Sequence, residues 1–284
     1  MSLFSIAYLG PAGTYAEVAA LTWGKILQQT AQAETVLVPC PSIAKALKAC
    51  QTGKTDFVVV PVENSTEGSV TQTLDTLWQL DGLRIQQALT LPISHALISL
   101  AYELAAIETV YSHPQALAQC QLWLEKQLPD VKLIPVNSTA EALQRLAGNT
   151  TTAAIASQRS AQMYNLPILA HPINDNPDNC TRFWVLSLQP SPGGNHTSLA
   201  FSVPANVPGA LVKPLQVLAD RGINLSRIES RPTKRSLGDY LFFIDIEAGT
   251  DQPNVEMALQ EIQQYTETLK TFGSYEILSV TESL

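Results

Sequence analysis

Gln189-Pro190-Ser191-Pro192-Gly193-Gly194-Asn195 cuts this chain in two. The segment has no hydrophobic periodicity and lies between two strand-like runs, which marks it as a linker. The patterns on either side belong to different fold classes. Before it, short β-branched runs alternate with amphipathic helical stretches, the signature of an α/β domain with a largely parallel sheet. Strands are expected at Phe4–Leu9, Thr35–Val38, Phe57–Val62, Arg84–Leu91, Glu108–Tyr111, Lys132–Val136, Ala153–Ala156 and Arg182–Leu188. After it, the order is strand (Thr197–Val203), helix (Gly209–Arg221), strand (Ile223–Pro232), strand (Asp239–Glu247), helix (Asn254–Lys270) and strand (Tyr275–Val280). That βαββαβ order in fewer than about 100 residues is a ferredoxin-like α+β unit. With 284 residues, about two domains are expected.

Local signals refine the first part. Thr14 followed by Glu17 is a capping box, with Ala19, Trp23, Ile26 and Leu27 on one helix face. Ser69 with Gln72 and Ser138 with Glu141 repeat it, and Pro114 suits the first turn of a helix through Leu117, Leu122 and Leu124. The first residues, Met1 to Gly10, lack a positive n-region and read as a strand, and no apolar run is long enough to span a membrane. Cys40, Cys50, Cys120 and Cys180 form no CxxC pair, which suits reduced thiols in a cytoplasmic protein. A net charge of −8 argues against nucleic acid or an anionic membrane as partner. The linker splits it evenly, 10 basic and 14 acidic residues up to position 190 against 7 and 11 beyond.

Three loops follow strands and precede helices or strands where α/β proteins place ligands. Gly10-Pro11-Ala12-Gly13-Thr14 is neither GxGxxG nor a Walker A loop; it is either a tight turn with its cap or a site for a small anion at a helix start. Val60-Pro61-Val62-Glu63-Asn64-Ser65-Thr66-Glu67-Gly68-Ser69 sets a polar run after an apolar strand. Asn179-Cys180-Thr181-Arg182-Phe183 is the third. No HExxH, GxSxG elbow or histidine–carboxylate cluster is present, so neither a metal nor a cofactor is expected. His95, between Ile93 and Ala96-Leu97-Ile98, reads as a partly buried histidine rather than a base.

Taken in order, Tyr8-Leu9-Gly10-Pro11-Ala12-Gly13-Thr14, Val60 to Val70, Leu91-Pro92-Ile93-Ser94-His95, Ser112-His113-Pro114-Gln115-Ala116-Leu117 and Thr181-Arg182-Phe183 resemble monofunctional prephenate dehydratase. The second part resembles an ACT regulatory domain through Pro208-Gly209-Ala210-Leu211, Gly222-Ile223-Asn224-Leu225 and Glu229-Ser230-Arg231-Pro232. The resemblance implies a two-lobed fold like a type II periplasmic binding protein over residues 1–189. Its lobes are expected at 1–78 plus 172–189 and at 79–171, followed by a linker at 190–196 and the ACT domain at 197–284. It implies a lyase that converts prephenate to phenylpyruvate, water and carbon dioxide in phenylalanine biosynthesis. Thr181 is then the catalytic hydroxyl. Thr14, Asn64, Ser65, Gly68, Gln115, Arg182 and Phe183 bind substrate, with Arg182 gripping the side-chain carboxylate. Glu63 has a structural or electrostatic role. L-Phenylalanine is expected as effector at Gly209, Ala210, Leu211, Asn224, Leu225, Glu229, Ser230 and Arg231, between subunits of a homodimer or homotetramer. Arogenate dehydratase and a non-catalytic amino-acid sensor are the rival readings. Two positions depart from the family pattern: Tyr15-Ala16 stands where Phe-Ser is usual, and Gln87 near where Glu is frequent.

Overall fold

A computed structural model describes residues 2–280. The chain forms, in order, β1 (Leu3–Leu9), α1 (Tyr15–Ala31), β2 (Glu34–Cys40), α2 (Ile43–Gln51), β3 (Phe57–Asn64), β4 (Gly68–Ser69), α3 (Thr71–Gln79) and β5 (Arg84–Pro92). Next come β6 (Ala96–Ser99), β7 (Thr109–Ser112), α4 (Pro114–Ala118), α5 (Gln121–Gln127), β8 (Lys132–Pro135), α6 (Thr139–Gln144), β9 (Thr152–Ala156), α7 (Gln158–Met163) and β10 (Ile168–Ala170). The chain then makes β11 (Cys180–Ser187), β12 (His196–Ser202), α8 (Val212–Asp220), β13 (Leu225–Pro232), β14 (Tyr240–Ile246), α9 (Pro253–Tyr265), β15 (Thr268–Tyr275) and β16 (Ile277–Ser279).

Three sheets result. The first runs β16-β5-β11-β3-β1-β2 with β4 beside β3, the second β10-β6-β9-β7-β8, the third β13-β14-β12-β15. The first two sheets are mixed rather than largely parallel. β11 is antiparallel to both β3 and β5, and β6 is antiparallel to β9 and β10. The lobes also divide later than expected. β5 pairs along its whole length with β11 in the first sheet, so the chain crosses at Ile93–His95 instead of near residue 78. The run from Ala96 to Ser99, not expected as a strand, is fully buried in the second sheet between β9 and β10.

Each face of the first sheet has its own core. Ile6, Tyr8, Val59, Leu89, Phe183 and Val185 pack under α1 with Trp23 and Leu27. Val58, Val60, Val62, Ala88 and Trp184 point the other way, toward α2, α3 and the third sheet, where they meet Phe243, Phe272 and Tyr275. Trp184 sits 6.5 Å from Phe272 and 6.4 Å from Tyr275, ring centre to ring centre, within the range of favourable aromatic pairs. The third sheet is therefore sandwiched between α8 and α9 on one face and the first lobe on the other.

The third sheet keeps the ferredoxin-like order, but its last strand is displaced from expectation. α9 ends at Tyr265, and β15 begins at Thr268, where Thr266, Thr268 and Thr271 favour a strand over a helix. Beyond Tyr275 the chain leaves this sheet, and β16 adds in parallel to β5 of the first. The Ser138 cap forms, its Oγ accepting from Glu141 N at 3.0 Å. Ser69 instead pairs with Glu63 in the β3–β4 ladder, and α3 starts after Val70 without a side-chain cap.

Candidate active site

The two lobes enclose a cleft of about 820 Å³. The first lobe contributes the Leu9–Ala16 turn, Pro61, Asn64, Thr181 and Phe183; the second contributes His113, Gln115, Gln119 and Asn137–Thr139, with His95 at the crossing. This volume lies within the range of small-molecule sites.

Thr14 caps α1, its Oγ accepting from Glu17 N at 3.4 Å, while Glu17 Oε2 accepts from Gly13 N at 2.9 Å. Gly13 has φ +89°, and its carbonyl accepts from Ser160 Oγ at 2.6 Å and Ser157 Oγ at 3.2 Å, both in the second lobe. Any Cβ there would lie 2.9 Å from Ser160 Oγ, so the lobe contact needs glycine. Tyr15 bonds through its hydroxyl to the backbone of Ser94, accepting from Ser94 N at 2.9 Å and donating to its carbonyl, which ties the start of α1 to the crossing segment.

Thr181 and Asn64 face each other because of a bulge. β11 pairs Phe183 with Pro61, Arg182 with Glu63 and Thr181 with Asn64, leaving Val62 unmatched. Strict alternation from Pro61 would turn Asn64 away from the cleft; the extra residue re-aims it. Asn64, 4% exposed, then donates through Nδ2 to Thr181 Oγ at 2.9 Å, Asn179 Oδ1 at 2.8 Å and the Cys180 carbonyl at 3.1 Å. Its Oδ1 accepts from Thr66 N, Thr66 Oγ and Glu67 N, which fixes the amide's orientation. The Thr181 oxygen thus accepts on its buried side, leaving its proton for the cleft.

Of the residues expected to bind substrate, Thr14, Asn64, Gln115 and Phe183 line the cleft with Thr181. Ser65 does not. Its Oγ accepts from Cys180 N at 3.0 Å and donates to Asn179 Oδ1 at 3.3 Å, behind the cleft wall. Gly68 lies in the open depression beside it, with Glu67 and Ser69. Arg182 requires a correction: strand alternation sends its side chain to the opposite face of the first sheet. There Nη1 lies 3.4 Å from Asp245 Oδ2 and 3.6 Å from Glu63 Oε2, so the guanidinium does not grip a ligand in the cleft. Glu63 shares that face.

Gln119 and His113, outside the expected set, also line the cleft, as do His95 and Asn137–Thr139. Gln119 Oε1 accepts from His95 Nε2 at 2.9 Å and Gln119 Nε2 donates to Thr66 Oγ at 3.2 Å, joining the lobes. His113 caps α4 through Nδ1, which accepts from Gln115 N at 3.3 Å. Burial holds both His95 and His113 below the ordinary histidine range, and His95 Nδ1 has no partner. Gln119 carried no sequence signal, since it ends a short helix; His113 falls in the Ser112–Leu117 segment that carries the family resemblance, where Gln115 alone was expected to bind substrate. Among the described residues, no Lys, Arg, Asp or Glu lines the cleft.

In the third sheet, Gly209, at φ +85°, with Ala210 and Leu211 forms the turn before α8. Glu229, Ser230 and Arg231 lie on β13, the sheet's open edge. Asn224 Nδ2 donates to Glu247 Oε2 at 2.7 Å, and Leu225 packs in the core under the helices. Arg231 is already engaged: Nε and Nη2 bond Asp75 of α3 at 2.9 and 3.2 Å, and Arg231 holds the Asp75 carboxyl below its usual range, with Lys234 helping.

No helix among the described residues is long and apolar enough to cross a membrane. A prephenate dehydratase family model matches residues 6–191, and an ACT domain model matches residues 197–264. A prephenate dehydratase of Lactococcus lactis subsp. lactis is 36% identical over 286 residues, covering 98% of this chain and 99% of its own. A bifunctional chorismate mutase/prephenate dehydratase of Aquifex aeolicus is 42% identical over 274 residues, 95% of this chain and 73% of its own. Among solved structures, a prephenate dehydratase from Arthrobacter aurescens in complex with L-Phe superposes with a TM-score of 0.83 at 35% identity, covering 96% of this chain and 90% of that one. The prephenate dehydratase model spans the part of the chain that holds the cleft with Thr181 and Asn64, the ACT model spans the third sheet, and the Lactococcus relative matches over nearly the whole length: the chain belongs to the prephenate dehydratase family.

Proposed function

We propose that the cleft converts prephenate to phenylpyruvate with Thr181 as hydrogen-bond donor to the departing ring oxygen. The ring carboxylate leaves as carbon dioxide, and its C–C electron pair enters the ring as the C–O bond breaks. The expelled hydroxide takes up one proton and leaves as water. Aromatisation drives the reaction, so the protein's task is orientation and charge stabilisation.

One observation carries this reading. The Thr181 hydroxyl is oriented from behind by Asn64 into a cleft without charged side chains. A tight ion pair would hold the ring carboxylate back; neutral donors let it go. The dianion is met instead by Gln115, Gln119 and hydroxyls, and by the start of α1. A hydroxyl's high pKa favours stabilisation of the developing oxyanion over full proton transfer. Thr14 and Phe183 complete the substrate contacts, and Glu63 serves by pairing with Arg182.

L-Phenylalanine is proposed as effector of the ACT domain, through the turn at Gly209–Leu211 and the exposed edge around Ser230, in a cytoplasmic homo-oligomer. The L-Phe complex of the Arthrobacter relative supports this. The domain limits proposed are the catalytic part at 1–189, the linker at 190–196 and the ACT part beyond.

The test is steady-state turnover of prephenate by the purified protein, with and without phenylalanine. Phenylpyruvate formation that phenylalanine suppresses is the expected result. No turnover of prephenate, with phenylalanine still bound, would replace the enzyme by a sensor.

A further inference from the structure

Behind Thr181, on the face of β11 away from the cleft, four charged side chains and a serine meet. Asp245 of β14, wholly buried, takes a bidentate contact from Arg227 of β13, Nε at 2.7 Å and Nη2 at 3.2 Å. Ser198 Oγ donates to Asp245 Oδ1 at 2.6 Å, and Tyr275 bonds Ser198 in turn at 2.7 Å. Arg182 reaches the remaining side of the carboxylate at 3.4 Å, with Glu63 at 3.6 Å completing a cluster of two cations and two anions. Arg182, Asp245, Arg227 and Ser198 are at most 25% exposed as side chains or fully within the interface.

We infer that Asp245, in the ACT sheet, is a positioning residue for the Thr181 hydroxyl: it anchors Arg182, and Arg182 holds the end of β11 in register with Asn64. Three features carry this. Arg182 is adjacent to Thr181 and lies at the bulge that brings Thr181 opposite Asn64. Arg182 and Glu63 form the last paired residues before Thr181 and Asn64, so a pull on Arg182 acts on both strands that frame the hydroxyl. Arg227 and Ser198 hold the two Asp245 oxygens from within the ACT sheet, so the carboxylate follows that sheet.

The same carboxylate connects β13 to the cleft. Alternation on β13 puts Arg227, Glu229 and Arg231 on one side, facing the first lobe; Arg227 also reaches Ser69 at 3.3 Å, and Arg231 bonds Asp75. A shift of this edge strand moves Arg227, hence Asp245, hence Arg182. The ACT sheet and the catalytic hydroxyl are tied through one shared acid. This rests on the reading of Thr181 as the catalytic donor.

The test compares Arg182→Gln, Arg182→Lys, Asp245→Asn, the Arg182→Gln/Asp245→Asn double variant and Thr181→Ala in the full chain, with kcat and KM for prephenate and a thermal melt for each. Anchoring predicts that Arg182→Gln and Asp245→Asn each lower kcat by about tenfold or more with KM within about twofold. The double variant falls no further than the weaker single, because both remove one link. Arg182→Lys, which keeps a cation for Asp245, recovers most of the loss. A rise in KM at unchanged kcat would make Arg182 a substrate contact and overturn the inference, as would kcat within about twofold of the parent in the folded single variants. If Asp245→Asn fails to fold, Arg182→Gln decides alone, since it leaves the Asp245–Arg227–Ser198 contacts in place. Turnover retained by Thr181→Ala overturns the catalytic reading and the anchor together; an inactive Thr181→Ala beside an unaffected Arg182→Gln overturns the anchor only.

Discussion

Replacing Asn64 by Asp changes no heavy-atom shape but reverses the direction of one hydrogen bond. The Asn64 amide now donates to Thr181 Oγ at 2.9 Å, to Asn179 Oδ1 at 2.8 Å and to the Cys180 carbonyl at 3.1 Å. In Asn64→Asp the same position holds a carboxylate oxygen. Thr181 then turns its proton inward to that oxygen, and the cleft loses its donor. Loss of one preorganised donor costs roughly 100- to 1,000-fold in kcat, about 2.7–4 kcal/mol of transition-state stabilisation. Asn179 Oδ1 and the Cys180 carbonyl each lose one donor but keep another, Ser65 Oγ at 3.3 Å and Ser65 N at 2.9 Å, so the fold is expected to survive the change. Asn64→Ala removes the orienting donor without supplying an acceptor, so the Thr181 hydroxyl still samples the cleft, and a loss of about tenfold is expected, about 1.4 kcal/mol. Phenylpyruvate formation by the folded variants gives the assay, and the order of kcat, parent above Asn64→Ala above Asn64→Asp, is the signature. Asn64→Asp within about threefold of the parent, or Asn64→Ala slower than Asn64→Asp, would refute the reasoning.

Gly13→Ala forces a side chain into φ +89° and against Ser160 Oγ at 2.9 Å, so it lowers stability by about 1–2 kcal/mol; an unchanged urea midpoint would contradict this. Burial lowers the His95 pKa from 6.5, so the folded state binds fewer protons there than the unfolded chain. Its contribution is complete above about pH 6.5 and declines as the pH falls, by up to about 1.4 kcal/mol per unit. Urea midpoints between pH 7 and 5 test this, and His95→Gln flattens the slope; a slope equal to the parent's would assign it to other groups, such as His113.

The chemistry-bearing loops were legible because polar runs after apolar strands are rare and local. Asn64 lies within such a run and Thr181 stands just before the apolar strand Phe183–Leu186, and the strands that carry them, β3 and β11, could be read from β-branched and aromatic residues. Their meeting was not legible. It depends on an antiparallel β11 inserted between β3 and β5 and on the unmatched Val62, a feature of pairing rather than of either strand. Arg182 failed for the same reason: a guanidinium beside a catalytic residue in sequence lies on the opposite face of a strand, and only the docked ACT sheet shows what it meets. β5 reads equally well as the last strand of the first lobe or the first of the second, and only its pairing with β11 assigns it to the first. At residues 266–270 the helical pattern of α9 runs on past Tyr265 into a threonine-rich stretch, and the chain there turns to strand instead. Gln119 and His95 meet from separate elements, and nothing in either segment announces the contact.

The most direct test of the central claim is the rate of phenylpyruvate formation from prephenate by Thr181→Ser and Thr181→Ala, each compared with the parent protein. If the hydroxyl is the donor, Thr181→Ser keeps much of the parent kcat, while Thr181→Ala loses about 100-fold or more with its fold intact. Equal losses in both variants, or near-parent turnover by Thr181→Ala, would contradict it.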